Sequence, residues 1–212
     1  MKHEIGVVRP AHCQESWPGQ YQLFSWLEYA TTIAYPTFLI TTLKANGVPN
    51  ACWHSWGSFA GDGEGYYCVV TLLDSYHTYD NILRAGEWCV NLPTLEQRAQ
   101  CERTIEHNTL ERDEIGESGF TAEPSQVIAS PRIAECPVSM ECRLEWHHPL
   151  AEVSRWHVFA GRVVHVAIDD AVLHADLEAR LGAMNTMYNV RATLNPLTGE
   201  KQPMRLGVVR LP

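Results

Sequence analysis

The sequence predicts a mainly β protein, an antiparallel barrel with helical insertions. Three observations carry this. Six or seven short segments rich in β-branched and aromatic residues follow one another, bounded by Gly, Pro and Asn. Asn46-Gly47 lies between two of them, a strong short-hairpin signal. Only two helical patterns fall between the strands, so strand and helix do not alternate as in a doubly wound parallel sheet. At 212 residues, 45% hydrophobic and 19% charged, the chain makes one large domain or at most two small ones. It buries a core without staples and carries too little charge for a disordered chain.

The elements follow in order. Residues 1–33 mix Trp17, Tyr21, Phe24, Trp26 and Tyr29 with polar residues, and Pro18-Gly19 breaks any regular element, so an ordered aromatic arm is expected. A strand runs from Ala34 to Leu43, its start placed by Pro36, and turns at residues 44–47 into a return strand over 48–58. Residues 61–65 are a turn by composition. Residues 66–72 are nearly continuously apolar, a strand buried on both faces. Tyr79, Ile82 and Leu83 recur at helical spacing, and Gly86 ends that helix. Residues 87–92 form a strand stopped by Pro93, and Thr94-Leu95-Glu96-Gln97 opens a helix to about His107 as a capping box. Residues 108–134 are loop-rich. Val138, Met140, Cys142, Leu144 and Trp146 alternate with polar residues, a strand with one wet face. Residues 155–168 form another strand, with Gly161 as a bulge or bend. A short helix at 175–183 and a strand at 204–211 complete the chain.

Composition excludes several functions. Lys and Arg number 16 against 25 Asp and Glu, a net charge of −9, which argues against a nucleic-acid binder. No apolar run approaches the ~20 residues of a bilayer span, and the first residues lack a secretory pattern, so no membrane role is expected. The seven cysteines are odd in number and contain no C-x-x-C pair. They read as packing residues in a reducing cytoplasm, with no disulfide framework and no metal site. The sequence contains no G-x-S-x-G, P-loop, G-x-G-x-x-G or H-E-x-x-H. His147-His148 are adjacent and, at a strand end, point to opposite sides.

One resemblance stands out. Residues 35–42, then Gly47-Val48-Pro49-Asn50-Ala51, Ser55-Trp56, Ser75-Tyr76-His77-Thr78-Tyr79-Asp80-Asn81-Ile82, and Gly86-Glu87-Trp88-Cys89-Val90-Asn91-Leu92-Pro93 occur in one order. Ile133-Ala134-Glu135-Cys136-Pro137, Glu141-Cys142-Arg143-Leu144 and Trp156-His157-Val158-Phe159-Ala160-Gly161-Arg162 continue it. This set, over about residues 34–173, resembles the flavin reductase-like, FMN-binding split-barrel family. The resemblance implies a split β-barrel that binds FMN, with NADH or NADPH as co-substrate. It also implies a homodimer whose flavin sites lie near the subunit interface. The implied division is an arm at 1–33 that packs on the barrel or the partner subunit, a flavin-binding barrel at 34–173 and a C-terminal extension at 174–212.

The resemblance also implies a site. The stretch 50–58 runs along the flavin, which brings in Asn50, Trp53, His54, Ser55, Trp56 and Ser58. The serines serve the phosphate side, and Trp56 is the favoured flavin-side ring. Taken alone, the same stretch is an ordinary strand end with solvated serines, and His54, like His165, reads as structural. Ser75, His77 and Thr78 precede a helix. Ser and Thr there are commonly N-caps, and the helix N-terminus also suits a phosphate. Many relatives carry a basic residue just before the His-Thr pair; here the order is Asp74-Ser75-Tyr76, which leaves neutral donors. His157, in a His-x-x-Phe-x-Gly pattern, is implied as the catalytic residue, positioning or stabilising charge near the flavin ring or nicotinamide. A hydrogen-bonded core histidine is the competing reading. Asn91 is expected to hold a loop.

Three functions follow. The first is a reductase passing electrons from NAD(P)H through FMN to a small acceptor: free flavin, a ferric complex, quinone or oxygen. The second is a flavoredoxin-type electron carrier with a protein partner. The third is a split-barrel module that has lost its flavin.

Overall fold

The computed structural model describes residues 2–107, 109–173, 176–191 and 193–211. It forms two compact units, one of Met1–Tyr35 with Tyr188–Gly207 and one of Pro36–Met187 with Val208–Pro212. The second holds a seven-stranded antiparallel sheet of order β3-β2-β6-β9-β10-β5-β4. Its strands are β2 (Phe38–Leu43), β3 (Pro49–His54), β4 (Gly57–Gly61), β5 (Tyr66–Leu73), β6 (Glu87–Leu92), β9 (Val138–Pro149) and β10 (Trp156–Ile168). Phe38, Ile40, Val70, Leu72, Trp88 and Phe159 fill its interior, all buried. Each fully buried side chain of this size stabilises by roughly 1.5–3 kcal/mol.

The Asn46-Gly47 turn forms as expected. Gly47 has φ +80°, a conformation that costs glycine little, and its N–H donates to Lys44 O at 2.9 Å. The return segment differs from the single strand expected at 48–58. It breaks at Ser55-Trp56 because β3 and β4 are the two edges of the sheet, and one continuous stretch must leave one edge and join the other. Trp56 O accepts the Thr71 N–H at 3.0 Å, and His54 Nε2 lies 2.9 Å from Thr71 O. The covalent chain thus carries the barrel across this seam, and His54 and Trp56 both contact Thr71 there. Gly57 is required there, since an added Cβ would lie 2.5 Å from Phe38 Cζ. The expected irregularity at Gly161 is present as a register shift between Ala160 and Gly161, and a Cβ on Gly161 would fall 2.1 Å from Trp88 Cη2.

Three helical stretches cover the sheet. Helix α3 (His77–Ala85) ends at Gly86 with φ +69°, as read from the sequence. The Thr94–Gln97 capping box opens a 3-10 turn and then α4 (Arg98–Arg103). This helix stops short of His107, because Thr104 Oγ1 bonds back to Cys101 O at 2.7 Å. The region expected to be loop contains α5 (Glu114–Ser118), capped by the Asp113 carboxylate, and a two-stranded ribbon of β7 (Ala122–Glu123) and β8 (Arg132–Ile133). Further on lie α6 (Asp170–Leu173) and α7 (Leu177–Met184), the latter matching the helix expected at 175–183; Ala175 lies outside the described residues.

The first unit contains α1 (Gln20–Leu23) and α2 (Trp26–Ala30), the latter opened by a Ser25–Glu28 capping box. Cys13, Trp26 and Leu194 form its small core. A three-stranded sheet has the order β1-β11-β12: β1 (Ala34–Pro36), β11 (Met187–Val190) and β12 (Arg205–Val208). Pro36 ends β1 rather than starting the long strand, and β2 begins after Thr37, whose N–H donates to Met187 O at 2.9 Å. All seven cysteines are free, and burial pushes the Cys52 and Cys101 thiols up to about 12, which suits packing rather than redox chemistry. No helix among the described residues is long and apolar enough to cross a membrane.

Candidate functional site

The N-terminus of α3 is built by a turn in which the Tyr76 N–H donates to Leu73 O at 3.0 Å. Tyr76 is the N-cap, and its side chain makes no capping bond. The N–H groups of the first turn thus lack the side-chain acceptor that Ser or Asp usually supplies, and the helix dipole favours an anion there. Ser75 is exposed one residue ahead of the cap. His77 is half-buried, and its Nδ1 is buried with no hydrogen-bond partner.

Thr78 is different. It is buried, and its Oγ1 accepts from Asn50 Nδ2 at 3.1 Å. Beside it Asn81 Nδ2 donates to Thr42 Oγ1 at 3.0 Å. These pairs fasten α3 to β2 and β3, so Thr78 offers an incoming ligand only its backbone. The pairing of β2 with β3 explains the sorting. Phe38, Ile40 and Thr42 lie opposite His54, Cys52 and Asn50, so these three β3 residues share the face of the barrel interior. His54 is spent on the barrel seam.

Ala51 and Trp53 take the other face. The Ala51 N–H donates to Glu114 Oε2 at 3.0 Å, which shows that the amides at this parity point away from β2. Two residues on, Trp53 has the same orientation, and its Nε1 is buried without a partner. Ser55 is buried at the corner between the two edge strands, and Ser58 is exposed on β4. Trp56, the favoured flavin-side ring, packs on Trp156 with centroids 4.4 Å apart, and Tyr76 stands edge-on to Trp156 at 6.0 Å.

His157 lies opposite Leu72 of the core and faces the barrel interior with Phe159. Its ring is 5.0 Å from Tyr79 of α3 and 6.1 Å from His147, and its Nδ1 is buried with no partner. Asn91 does hold a loop: its Oδ1 accepts the Ile133 N–H at 2.9 Å and the Ser139 hydroxyl at 2.7 Å.

Two features escaped the sequence. Asp74 forms a bidentate pair with Arg155, with Nη2 2.7 Å and Nε 3.0 Å from Oδ1, and this holds the Asp74 carboxyl below the usual range. Glu114 reaches from α5 to the β3 edge, while its other oxygen takes buried Lys44 Nζ at 3.0 Å. Burial pushes the Glu114 carboxyl up. Neither partnership could be found without the register that brings distant segments together. A cavity of about 180 Å³ lined by Arg103, Glu106, His107, Arg112, Glu114 and Glu117 contains none of the expected site residues.

The unpaired atoms among these residues are Trp53 Nε1, His77 Nδ1 and His157 Nδ1. No group of three or more metal-binding side chains occurs among the described residues.

A family model described as flavin reductase like domain matches residues 30–189. An uncharacterized protein of Aquifex aeolicus (strain VF5) is 29% identical over 170 residues, covering 74% of this chain and 84% of that one. Among solved structures, nitrilotriacetate monooxygenase component B from Bacillus cereus superposes with TM-score 0.77 at 17% identity, covering all of both chains. Flavoredoxin of Desulfovibrio vulgaris (Miyazaki F) gives 0.69 at 17% identity, covering 86% of this chain and 92% of that one. At such identities the likeness to these structures is one of fold, and that fold is the split barrel.

Proposed function

The chain belongs to the flavin reductase-like family, and from that premise we propose that it binds FMN and acts as an NAD(P)H-dependent reductase. The observation that carries this reading is a set of buried ring nitrogens without partners, beside an uncapped helix start. The α3 N-terminus has no side-chain cap, and His77 Nδ1 and Trp53 Nε1 are buried without partners. Buried polar groups are almost always paired, so such groups in a chain of this family argue for a missing ligand.

In this reading the backbone of His77 and Thr78, with Ser75 and the His77 ring, holds the phosphate. The Trp53 amide and indole N–H, with Ser55, serve the polar edge of the ring system. Trp56 and Trp156 form an apolar wall. FMN supplies the hydride chemistry when bound; the chain orients it and excludes water. His157 acts as a positioning or charge-stabilising group through its unpaired ring nitrogen. Val164, Val166 and Ile168, exposed on the part of β10 that β5 does not cover, fit a homodimer interface.

The likeness to a flavoredoxin supports a second reading, an electron carrier that holds FMN tightly and serves a protein partner. One experiment tests both. The protein is isolated, its flavin is identified, and it is titrated anaerobically with NADH and NADPH. Bleaching within seconds supports the reductase. No bleaching over minutes, with prompt reduction by a low-potential donor, supports the carrier. A colourless protein that takes up no FMN overturns both.

A further inference from the structure

We propose that Arg155, anchored by Asp74, is a phosphate clamp that makes this site select FMN over riboflavin. The proposal rests on the FMN reading above and names the full positive charge that reading lacks. The first turn of a helix offers about half a unit of charge, whereas a phosphate monoester carries about −1.5 to −2 near neutrality. The residue just before His77-Thr78 is Tyr76, and its ring is committed to Trp156. The protein as a whole is acidic, at −9.

Asp74 at first aggravates the problem, since it places a carboxylate three residues ahead of α3. Its charge is already used. Arg155 Nε lies 3.0 and 3.3 Å from the two Asp74 oxygens, and Nη2 lies 2.7 Å from Oδ1. That fills one edge of the guanidinium and fixes its plane. Nη1 has no hydrogen-bond partner among the described residues, and the side chain is 55% exposed. An arginine has five N–H donors in a rigid fork, so a second edge, Nη1 with the remaining Nη2 proton, stays available for an anion. The geometry that grips a carboxylate on one side grips phosphate on the other.

The backbone places this edge beside the helix start. The Asp74 N–H donates to Arg155 O at 3.0 Å, and the Tyr76 N–H donates to Leu73 O at 3.0 Å. The residue just ahead of β10 is thus bonded to the turn that opens α3. Such a turn spans less than about 7 Å between its end Cα atoms, which an extended arginine side chain covers. Helix amides and a guanidinium held by Asp74 are thus tied to the two ends of one short turn, which also carries the exposed Ser75. The carboxylate in this position is then an anchor for the clamp.

The test compares FMN with riboflavin, which lacks only the phosphate. Dissociation constants are measured by flavin fluorescence for the wild-type protein, Arg155→Ala, Arg155→Lys and Asp74→Asn, with melting curves to confirm folding. Arg155→Ala is expected to weaken FMN by about 10-fold or more and leave riboflavin within about twofold, as the loss of a charge-assisted bond implies. Arg155→Lys should restore part of the loss, and Asp74→Asn should lower the FMN-to-riboflavin ratio without lowering riboflavin affinity. A parallel fall in both ligands, or no change in either, overturns the clamp and leaves the pair a structural pin. If the wild-type protein binds neither flavin, the FMN reading fails, and the clamp is judged on inorganic phosphate alone. A saturable change in tryptophan fluorescence that Arg155→Ala abolishes supports it, and no such change overturns it.

Discussion

Two sets of polar groups lie close together in the barrel unit and have opposite fates. Asn50, Asn81, Asn91 and Lys44 are buried, and each donates to a protein acceptor. Asn91 alone serves Ile133 N, Ser139 Oγ and Thr41 Oγ1, and Lys44 Nζ donates to Thr109 O, Arg112 O and Glu114. Around the start of α3 the reverse holds: His77, His157 and Trp53 each bury a ring nitrogen with no partner, and the helix has no side-chain cap. The named nitrogens of the second set are buried although their residues are only half-buried. Whether a partner is present separates them. An orphan alone is not sufficient, because Trp88 Nε1 in the core and Arg132 Nε are also unpaired. What marks His77 and His157 is their place at an uncapped helix: His77 opens α3, and the His157 ring lies 5.0 Å from Tyr79 of the same helix.

The comparison breaks first at Lys44. If the paired set is structural, Lys44→Met strands the Glu114 carboxylate and should cost about 3–5 kcal/mol in urea unfolding. A variant that melts with the wild-type protein would place Lys44 outside the scaffold. Asn91→Ala comes next. It leaves the Ile133 N–H and the Ser139 hydroxyl without their acceptor, at about 1–3 kcal/mol for a buried unsatisfied group. Both variants, where they fold, should keep the wild-type ratio of FMN to riboflavin affinity.

The unpaired set should behave in the opposite way. Trp53→Phe and His77→Ala remove donors that no protein atom uses. Each is expected to shift unfolding free energy by no more than about 0.5–1 kcal/mol, while FMN affinity falls by about 3- to 10-fold. Loss of stability without loss of affinity would move these residues into the scaffold and erase the contrast.

Much of this architecture is legible without coordinates. The Gly47 turn, the Gly86 cap and the Thr94 capping box are local events, each set by a residue and its near neighbours, whereas Gly161 is legible as a glycine in a strand although distant Trp88 is what requires it. The break at Ser55-Trp56 is not local: it exists because β3 and β4 lie at opposite edges of one sheet, which no window of the sequence contains. The candidate site divides the same way. Ser75, His77 and Thr78 were recognisable as residues opening a helix. That Thr78 turns inward to Asn50, that His54 contacts Thr71 at the seam and that Trp56 packs on Trp156 are consequences of strand register. Asp74–Arg155 joins residues 81 apart in the chain, and its meaning depends on their meeting.

The smallest effect sharpens the paired side through pH. Burial holds the Glu114 carboxyl above its ordinary value of 4.5, even with Lys44 at 3.0 Å. A carboxyl whose folded value exceeds its unfolded value binds its proton more readily in the fold. Between the two values the native state holds more protons, so its contribution to stability falls as pH rises. The wild-type protein should therefore gain on Glu114→Gln as the medium is acidified through the folded value, and the difference should level off below the ordinary carboxylate range. Asp74 and Glu96, both held low by hydrogen bonds, act in the other direction: the stability they contribute is present above their unfolded values and lost as pH falls through the lowered folded ones. Only the difference between wild type and Glu114→Gln isolates the buried group. Urea unfolding of both proteins across this window measures it, and a difference that shrinks on acidification would mean that Lys44 governs this carboxyl more strongly than burial does.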